Sequence, residues 1–296
     1  MKVAIIGANG AVGKELQALC HDYDLQCFGS GDTPSYEGCD AVFFCVGADV
    51  ARREVPKARK AGALCLDAST AFRNDPLVPL IVPEINSHML EKANGLIASP
   101  NCTTTLMLLP LAPIHKQNRI RRIISTTFQA VSGAGYRGIR ELEEQLEGSQ
   151  ASDVFPVPCA HNVFLHESER SQTGYCAEEE KMQTETQKIL EDSRIGVSAR
   201  CVRVPVFRAH SIALNVELEN AFEIQELRKT IESAPGVAYR DDVTALDATG
   251  QKSVFCGNLR RDPTRKNAFE LWICGDQLLK GAALNLYQLA TARCLT

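Results

Sequence analysis

The sequence predicts an α/β protein of two domains, a parallel sheet flanked by helices followed by an α+β unit with a largely antiparallel sheet. Three observations lead there. The apolar run Val3-Ala4-Ile5-Ile6 opens directly into a glycine turn, Gly7-Ala8-Asn9-Gly10-Ala11-Val12-Gly13, and then a helical pattern through Leu16 and Leu19. Short apolar runs alternate with helical stretches as far as Ala98, the pattern of a doubly wound sheet. Long alternating segments at 198–206 and 211–219 group away from this first part, as paired antiparallel strands do.

Taken in order, the first strand, turn and helix form a Rossmann-like nucleotide-binding loop. The glycines let the backbone approach a pyrophosphate, and the helix N-terminus receives its charge. The G-x-x-G-x-x-G spacing is a variant of the usual fingerprint, and Gly7, Asn9, Gly10, Ala11, Val12 and Gly13 are its candidate cofactor contacts. Strands follow at 25–28, 41–46, 63–66 and 96–98, with a helix over 50–61. On the adenosine side Asp32 fits loosely the acid that reads a ribose, and Ser30 offers a hydroxyl to a phosphate. No basic residue lies between Lys14 and Arg52, so NAD and NADP both stay open from these residues. Arg73, just after a buried strand, is either a phosphate or carboxylate ligand or a surface arginine.

Ser99-Pro100-Asn101-Cys102-Thr103-Thr104-Thr105 then leads into an apolar helix. With Asn101 as its cap, Cys102 stands in the first turn, where free N–H groups and the helix dipole favour a thiolate. A strand over 123–128 runs into a second glycine-rich turn, Gln129-Ala130-Val131-Ser132-Gly133-Ala134-Gly135, which faces a cofactor in this reading. Helices follow over 138–146 and 178–190, the latter with Glu178 and Lys181 on one face. His210, in the turn between the two long strands, is the best-placed base for Cys102 among six histidines. An apolar-rich helix over 278–290 closes the chain and returns to the first domain.

Composition narrows the function classes. A chain of 296 residues with 45% hydrophobic and 23% charged residues suits two globular domains, and a net charge of −4 lacks the basic excess of a nucleic-acid binder. No apolar run nears the roughly 18 residues of a membrane span, and the first strand is too short for a signal-peptide core. Twelve cysteines without a Cys-x-x-Cys pair read as reduced and cytoplasmic. His161, His166 and Glu167 are the best metal candidates, but a five-residue spacing does not put two imidazoles on one helical face, so no metal site is expected.

Five motifs in register, Ser99-Pro100-Asn101-Cys102-Thr103-Thr104, Gln129 with Ser132-Gly133-Ala134-Gly135, Glu178-Glu179-Glu180-Lys181, Arg203-Val204-Pro205-Val206 and Ala209-His210-Ser211, together resemble the aspartate-semialdehyde dehydrogenase family. The resemblance spans the whole chain. It implies a nucleotide-binding domain over 1–101, completed by the C-terminal helix at 276–296, and a catalytic and dimerisation domain over 102–275. It implies Cys102 as acyl-accepting nucleophile, His210 as acid–base group and Gln129 as the residue that positions the Cys-bound substrate. Arg203 then holds the α-carboxylate, Glu178 faces the amino group, and Arg73, Asn101 and Lys181 bind phosphate. Gln277 and the Ser132–Gly133 turn become cofactor contacts. The implied reaction is NADPH-dependent reduction of L-aspartyl 4-phosphate to L-aspartate 4-semialdehyde and phosphate through a cysteine thioester, in lysine, threonine and methionine biosynthesis, by a homodimer or homotetramer. The family carries a longer, Arg-containing segment where this chain has 29–38, which predicts weaker discrimination for NADP and leaves NAD possible. The alternatives are the related N-acetyl-glutamyl-phosphate reductase, which Glu178 beside a free ammonium disfavours, and a non-catalytic homologue, which retention of Cys102, Gln129, Arg203 and His210 disfavours.

Overall fold

In the computed structural model, which describes residues 1–294, the chain divides into two compact units. The first comprises Met1–Cys102 with the segment from Gly281 onward, and the second Thr103–Lys280.

The first unit runs β1 (Lys2–Ile6), α1 (Ala11–Leu19), β2 (Asp24–Phe28), β3 (Ala41–Phe44), α2 (Ala48–Lys60), β4 (Leu64–Asp67), α3 (Pro83–Asn86) and β5 (Leu96–Ala98). All five strands are parallel, in the order β2-β1-β3-β4-β5. The chain therefore moves outward from β1 in both directions, and the crevice between β1 and β3 is the switch point where such sheets bind ligands. Every residue of β3 is buried, as a parallel strand covered on both faces requires. Val3, Ile5, Phe43, Leu66 and Ile97 of the sheet pack with Leu16 of α1 and with Leu286 and Leu289 of the C-terminal helix, Leu284–Cys294. Tyr23 stacks on Tyr287, and Asn285 donates to the carbonyl of Ile81 and to Ser99 Oγ.

The second unit contains α4 (Cys102–Gln117), apart from its first residue, then β6 (Ile120–Gln129), α5 (Tyr136–Leu146), β7 (Phe164–Leu165), α6 (Ala177–Ile189), β8 (Gly196–Arg203) and β9 (His210–Leu218). It continues through α7 (Ile224–Glu232), β10 (Val237–Tyr239), α8 (Ala245–Ala248), β11 (Val254–Arg261) and β12 (Ala268–Gly275). Its mixed sheet has the order β10-β11-β12-β9-β6-β8-β7. β6 with β8 and β10 with β11 are parallel, and the other pairs are antiparallel. α4 is buried continuously from Thr103 to Ala112, as a helix that is apolar all round must be.

Differences from the sequence reading have local causes. β6 extends beyond 123–128 at both ends because β8 and β9 pair along its length. The expected helix over 278–290 opens as a wide π turn, Leu279–Ala283, before the regular helix. Buried Asp276 accepts the backbone N–H groups of Leu278 and Leu279 and sets this start.

Candidate active site

In the first unit the glycine turn is a cradle that side chains would fill. Gly7 has φ +86°, and a Cβ there would lie 2.3 Å from the Cys45 carbonyl oxygen. A Cβ on Gly13 would lie 2.3 Å from the Gly7 oxygen, so Gly13 serves the close packing of α1 on β1. α1 begins behind Gly10 with no side-chain cap and no acid in its first turn, which leaves its N–H groups suited to an anion. Above the ends of β1, β2 and β3 is a cavity of about 450 Å³ lined by Gly7, Asn9, Gly10, Phe28–Asp32, Cys45–Val46, Arg53 and Glu54, among others. The shape and the backbone donors fit a dinucleotide. Of the expected contacts, Gly7, Asn9 and Gly10 line it, while Ala11, Val12 and Gly13 lie behind it in the first turns of α1.

Arg73 is buried and donates from Nη2 to the Ala68 carbonyl at 2.7 Å, which removes the surface-arginine reading. Cys102 is the first residue of α4 and Asn101 directly precedes it, the arrangement the sequence predicts. Cys102 is half-buried, whereas burial pushes the thiols of Cys20, Cys65 and Cys256 up to about 12 and keeps them protonated. From Cys20 to Cys274 every cysteine is a reduced thiol.

In the second unit, strand register gathers the other candidates. Gln129 ends β6 opposite Arg203 at the end of parallel β8, and antiparallel β9 begins on the same edge with His210. Glu179 pins the start of α6 to β8 by accepting from the backbone N–H of Cys176 (2.9 Å) and Cys201 (3.1 Å). Its neighbour Glu178 is thereby held against Gln129, whose Nε2 donates to Glu178 Oε1 at 3.3 Å. Lys181 Nζ lies 3.0 Å from Glu178 Oε2, so the surface pair expected from spacing is a partly buried one at the site.

Arg203 is buried over the Phe155 ring. Its Nη1 donates to the Ala130 carbonyl at 2.7 Å, and its Nη2 lies 2.6 Å from Glu167 Oε1 and 3.1 Å from His166 Nε2. Although burial opposes the charge, Arg203 holds the Glu167 carboxyl below the usual range. Burial pushes the His166 imidazole down, which keeps a second positive charge away from the guanidinium. Sequence reasoning weighed His166 and Glu167 only as metal ligands. The pairing of Phe164 with Arg203 across β7 and β8, which no local pattern signals, brings them to the arginine.

His210 is fully buried, and its Nδ1 accepts the Ala130 N–H at 3.0 Å. The proton of the neutral ring is therefore on Nε2, which has no hydrogen-bond partner. Burial, aided by the Arg203 charge, pushes this imidazole down to about 3. Unfolded, it titrates near 6.5, so below that pH the unfolded chain takes up a proton that the fold refuses. Stability is expected to fall as pH drops from about 6.5 toward about 3, and a His210→Gln variant to lose less over that range. Urea midpoints at pH 7.5 and 4.5 check this, and identical losses in both proteins would exclude His210 as a source.

Gly133 leaves open the space beside these groups, since a Cβ there would lie 3.3 Å from Arg203 Nη1 and 3.6 Å from His210 Nε2. Gly133→Ala is expected to keep the fold and lower kcat/KM by roughly three- to tenfold, through a small shift of Arg203 and loss of the space beside His210. Wild-type kinetics in a folded variant would show the space unused. Ser132 and Gln277, expected as cofactor contacts, bond each other. Gln277 Nε2 donates to Ser132 Oγ, and its Oε1 accepts the N–H of Ala209 at 3.0 Å, a residue with φ +68°.

Comparison with known proteins identifies the family. Residues 21–93 match the model for the semialdehyde dehydrogenase NAD-binding domain, and residues 111–280 that for the semialdehyde dehydrogenase dimerisation domain. The chain is 39% identical to the aspartate-semialdehyde dehydrogenase of Synechocystis sp., covering 98% of this chain and 96% of that protein. It is 35% identical to that of Aquifex aeolicus, covering 98% and 88%. The crystal structure of aspartate-semialdehyde dehydrogenase II from Vibrio cholerae, complexed with ASA, superposes with a TM-score of 0.93 at 31% identity, over 98% of this chain and 97% of that one. With a parallel nucleotide-binding sheet, a helix-start cysteine and full-length relatives all in agreement, the chain belongs to the aspartate-semialdehyde dehydrogenase family.

Proposed function

We propose that this protein reduces L-aspartyl 4-phosphate to L-aspartate 4-semialdehyde and phosphate, in the supply of lysine, threonine and methionine. The observation that carries the reading is the convergence of Gln129, Arg203 and His210 on one sheet edge, with Glu178 and Lys181 held there by α6. A guanidinium for a carboxylate, a carboxylate for an ammonium and a lysine for a phosphate match the three charged groups of this substrate. Glu178 favours a free amino group over an acylated one.

In the proposed cycle the Cys102 thiolate attacks the acyl carbon. The new C–S bond replaces the C–O bond to phosphate, which leaves toward Arg73, Asn101 and Lys181. Gln129 orients the thioester. When bound, the nicotinamide supplies the hydride for its reduction. His210, with its proton on Nε2, hydrogen-bonds the tetrahedral oxygen that hydride addition creates, and collapse to the aldehyde breaks the C–S bond and releases Cys102 as the thiolate. The 1–102 unit with the C-terminal helix takes the dinucleotide role, and Thr103–Lys280 the catalytic and assembly role, as a homodimer or a pair of dimers. Among the described residues no helix is long and apolar enough to cross a membrane, and we read the enzyme as cytoplasmic. The resemblance implies NADP, and the ribose end of the cavity decides between it and NAD.

The test is phosphate-dependent reduction of NADP, and in parallel of NAD, by the purified protein with aspartate semialdehyde. Turnover that requires phosphate is expected. A folded protein inactive with both cofactors would overturn the reading.

A further inference from the structure

We infer that Asp32 reads the adenosine ribose diol and makes this chain prefer NAD(H) over NADP(H), an inference that rests on the dinucleotide reading of the first unit. Asp32 comes four residues after the end of β2, yet its carboxylate folds back to the strand end, where Oδ2 accepts the Gly29 N–H at 2.6 Å. The carboxylate thus lines the cavity at the C-terminal edge of β2, beside the glycine turn that follows β1. In dinucleotide folds an acid at this edge accepts from the ribose hydroxyls, and a 2′-phosphate in the same place meets like charge. Gly29 leaves room for the Asn9 amide beside the turn, since a Cβ there would lie 2.4 Å from Asn9 Nδ2 and push it aside.

The remaining charges in the cavity wall do not offset Asp32. Arg53 is its lining base, and its Nε is 2.8 Å from Glu54 Oε1. Glu54 is buried and also takes hydrogen bonds from Lys57 and the Tyr36 hydroxyl. Among the lining residues two carboxylates, Glu54 and Asp32, stand against one guanidinium; Lys57, which shares Glu54 with Arg53, is outside the lining, and Asp32 is the charge at the β2 edge where the ribose would sit. Ser30, which also lines it, supplies a neutral hydroxyl that suits either nucleotide.

The test separates binding from turnover. Calorimetry on the full-length protein compares 5′-AMP with adenosine 2′,5′-bisphosphate, and NAD with NADP, for wild type, Asp32→Asn and Asp32→Ser. Wild type is expected to bind 5′-AMP and NAD about ten- to hundredfold more tightly than their 2′-phosphorylated counterparts. Asp32→Ser is expected to erase or invert that ratio, with Asp32→Asn between the two. Preference of wild type for the 2′-phosphorylated ligands, equal affinity, no binding of any of the four, or an unchanged ratio in Asp32→Ser would each overturn the inference. Selective nucleotide binding without turnover of aspartate semialdehyde would overturn the proposed reaction and leave the role of Asp32 standing.

Discussion

Cys102→Ala is expected to lower kcat by about 10⁴-fold or more, because no other group in the proposed cycle accepts the acyl chain. The fold should be unaffected. The position is the first residue of α4, alanine is the best helix former, and one half-buried sulfur is lost, a change worth about 1 kcal/mol. Steady-state rates with intact-mass measurement of the protein under turnover make the prediction specific. Wild type should carry an acyl adduct when hydride transfer is withheld, and the variant none. Retention of even a tenth of the activity would exclude a thioester on this residue. Cys102→Ser separates nucleophilicity from shape, since it keeps the volume and a hydroxyl but lacks a readily formed anion.

Arg203 should give the second largest effect, divided between binding and folding. Arg203→Lys keeps the charge and loses the planar fork, so kcat/KM is expected to fall by about 10²- to 10³-fold, with most of the loss in KM. Arg203→Leu removes the charge and strands Glu167. Leaving one partner of a fully buried pair costs about 3–5 kcal/mol, and here somewhat less, because the Glu167 side chain keeps 24% of its surface exposed. The leucine variant should therefore unfold at lower denaturant, and Arg203→Leu with Glu167→Gln should recover part of that stability without recovering activity. Recovery of both would mean that the arginine serves the fold alone. An unchanged KM in Arg203→Lys would place the substrate carboxylate elsewhere.

Legibility of the sequence followed the range of the forces involved. The strand–glycine turn–helix at the start and the helix beginning at Cys102 are local, and both lie where periodicity and the turn residues before them place them. The expected 41–46 strand ends at Phe44, and β6 outgrows its expected limits, because ladder partners rather than the strand's own residues set those ends. The hairpin β11–β12 was silent, since its arms carry Arg260, Arg261 and Glu270 among the apolar residues and blur the alternation. The partners of Arg203 were silent because they are distant in sequence. Glu167 is 36 residues away, and the pairing of a two-residue strand brings it there. The glycine turn predicted a nucleotide, but which glycine packs and which one faces the cavity required the positions of Cys45 and the Gly7 carbonyl.

The Gln277 amide has a consequence for how this family can drift. Its two ends face opposite demands, a hydroxyl acceptor at Ser132 and a backbone donor at Ala209. Glutamate would lose the donor, and methionine would lose both functions. The turn after β6 and the approach to His210 are tied through this one side chain, so an apolar residue at 277 would leave both the Ser132 hydroxyl and the N–H of the left-handed residue at 209 without this partner. Positions 132, 209 and 277 are thus expected to be inherited as a set, and sequence libraries that vary them singly should recover few active members.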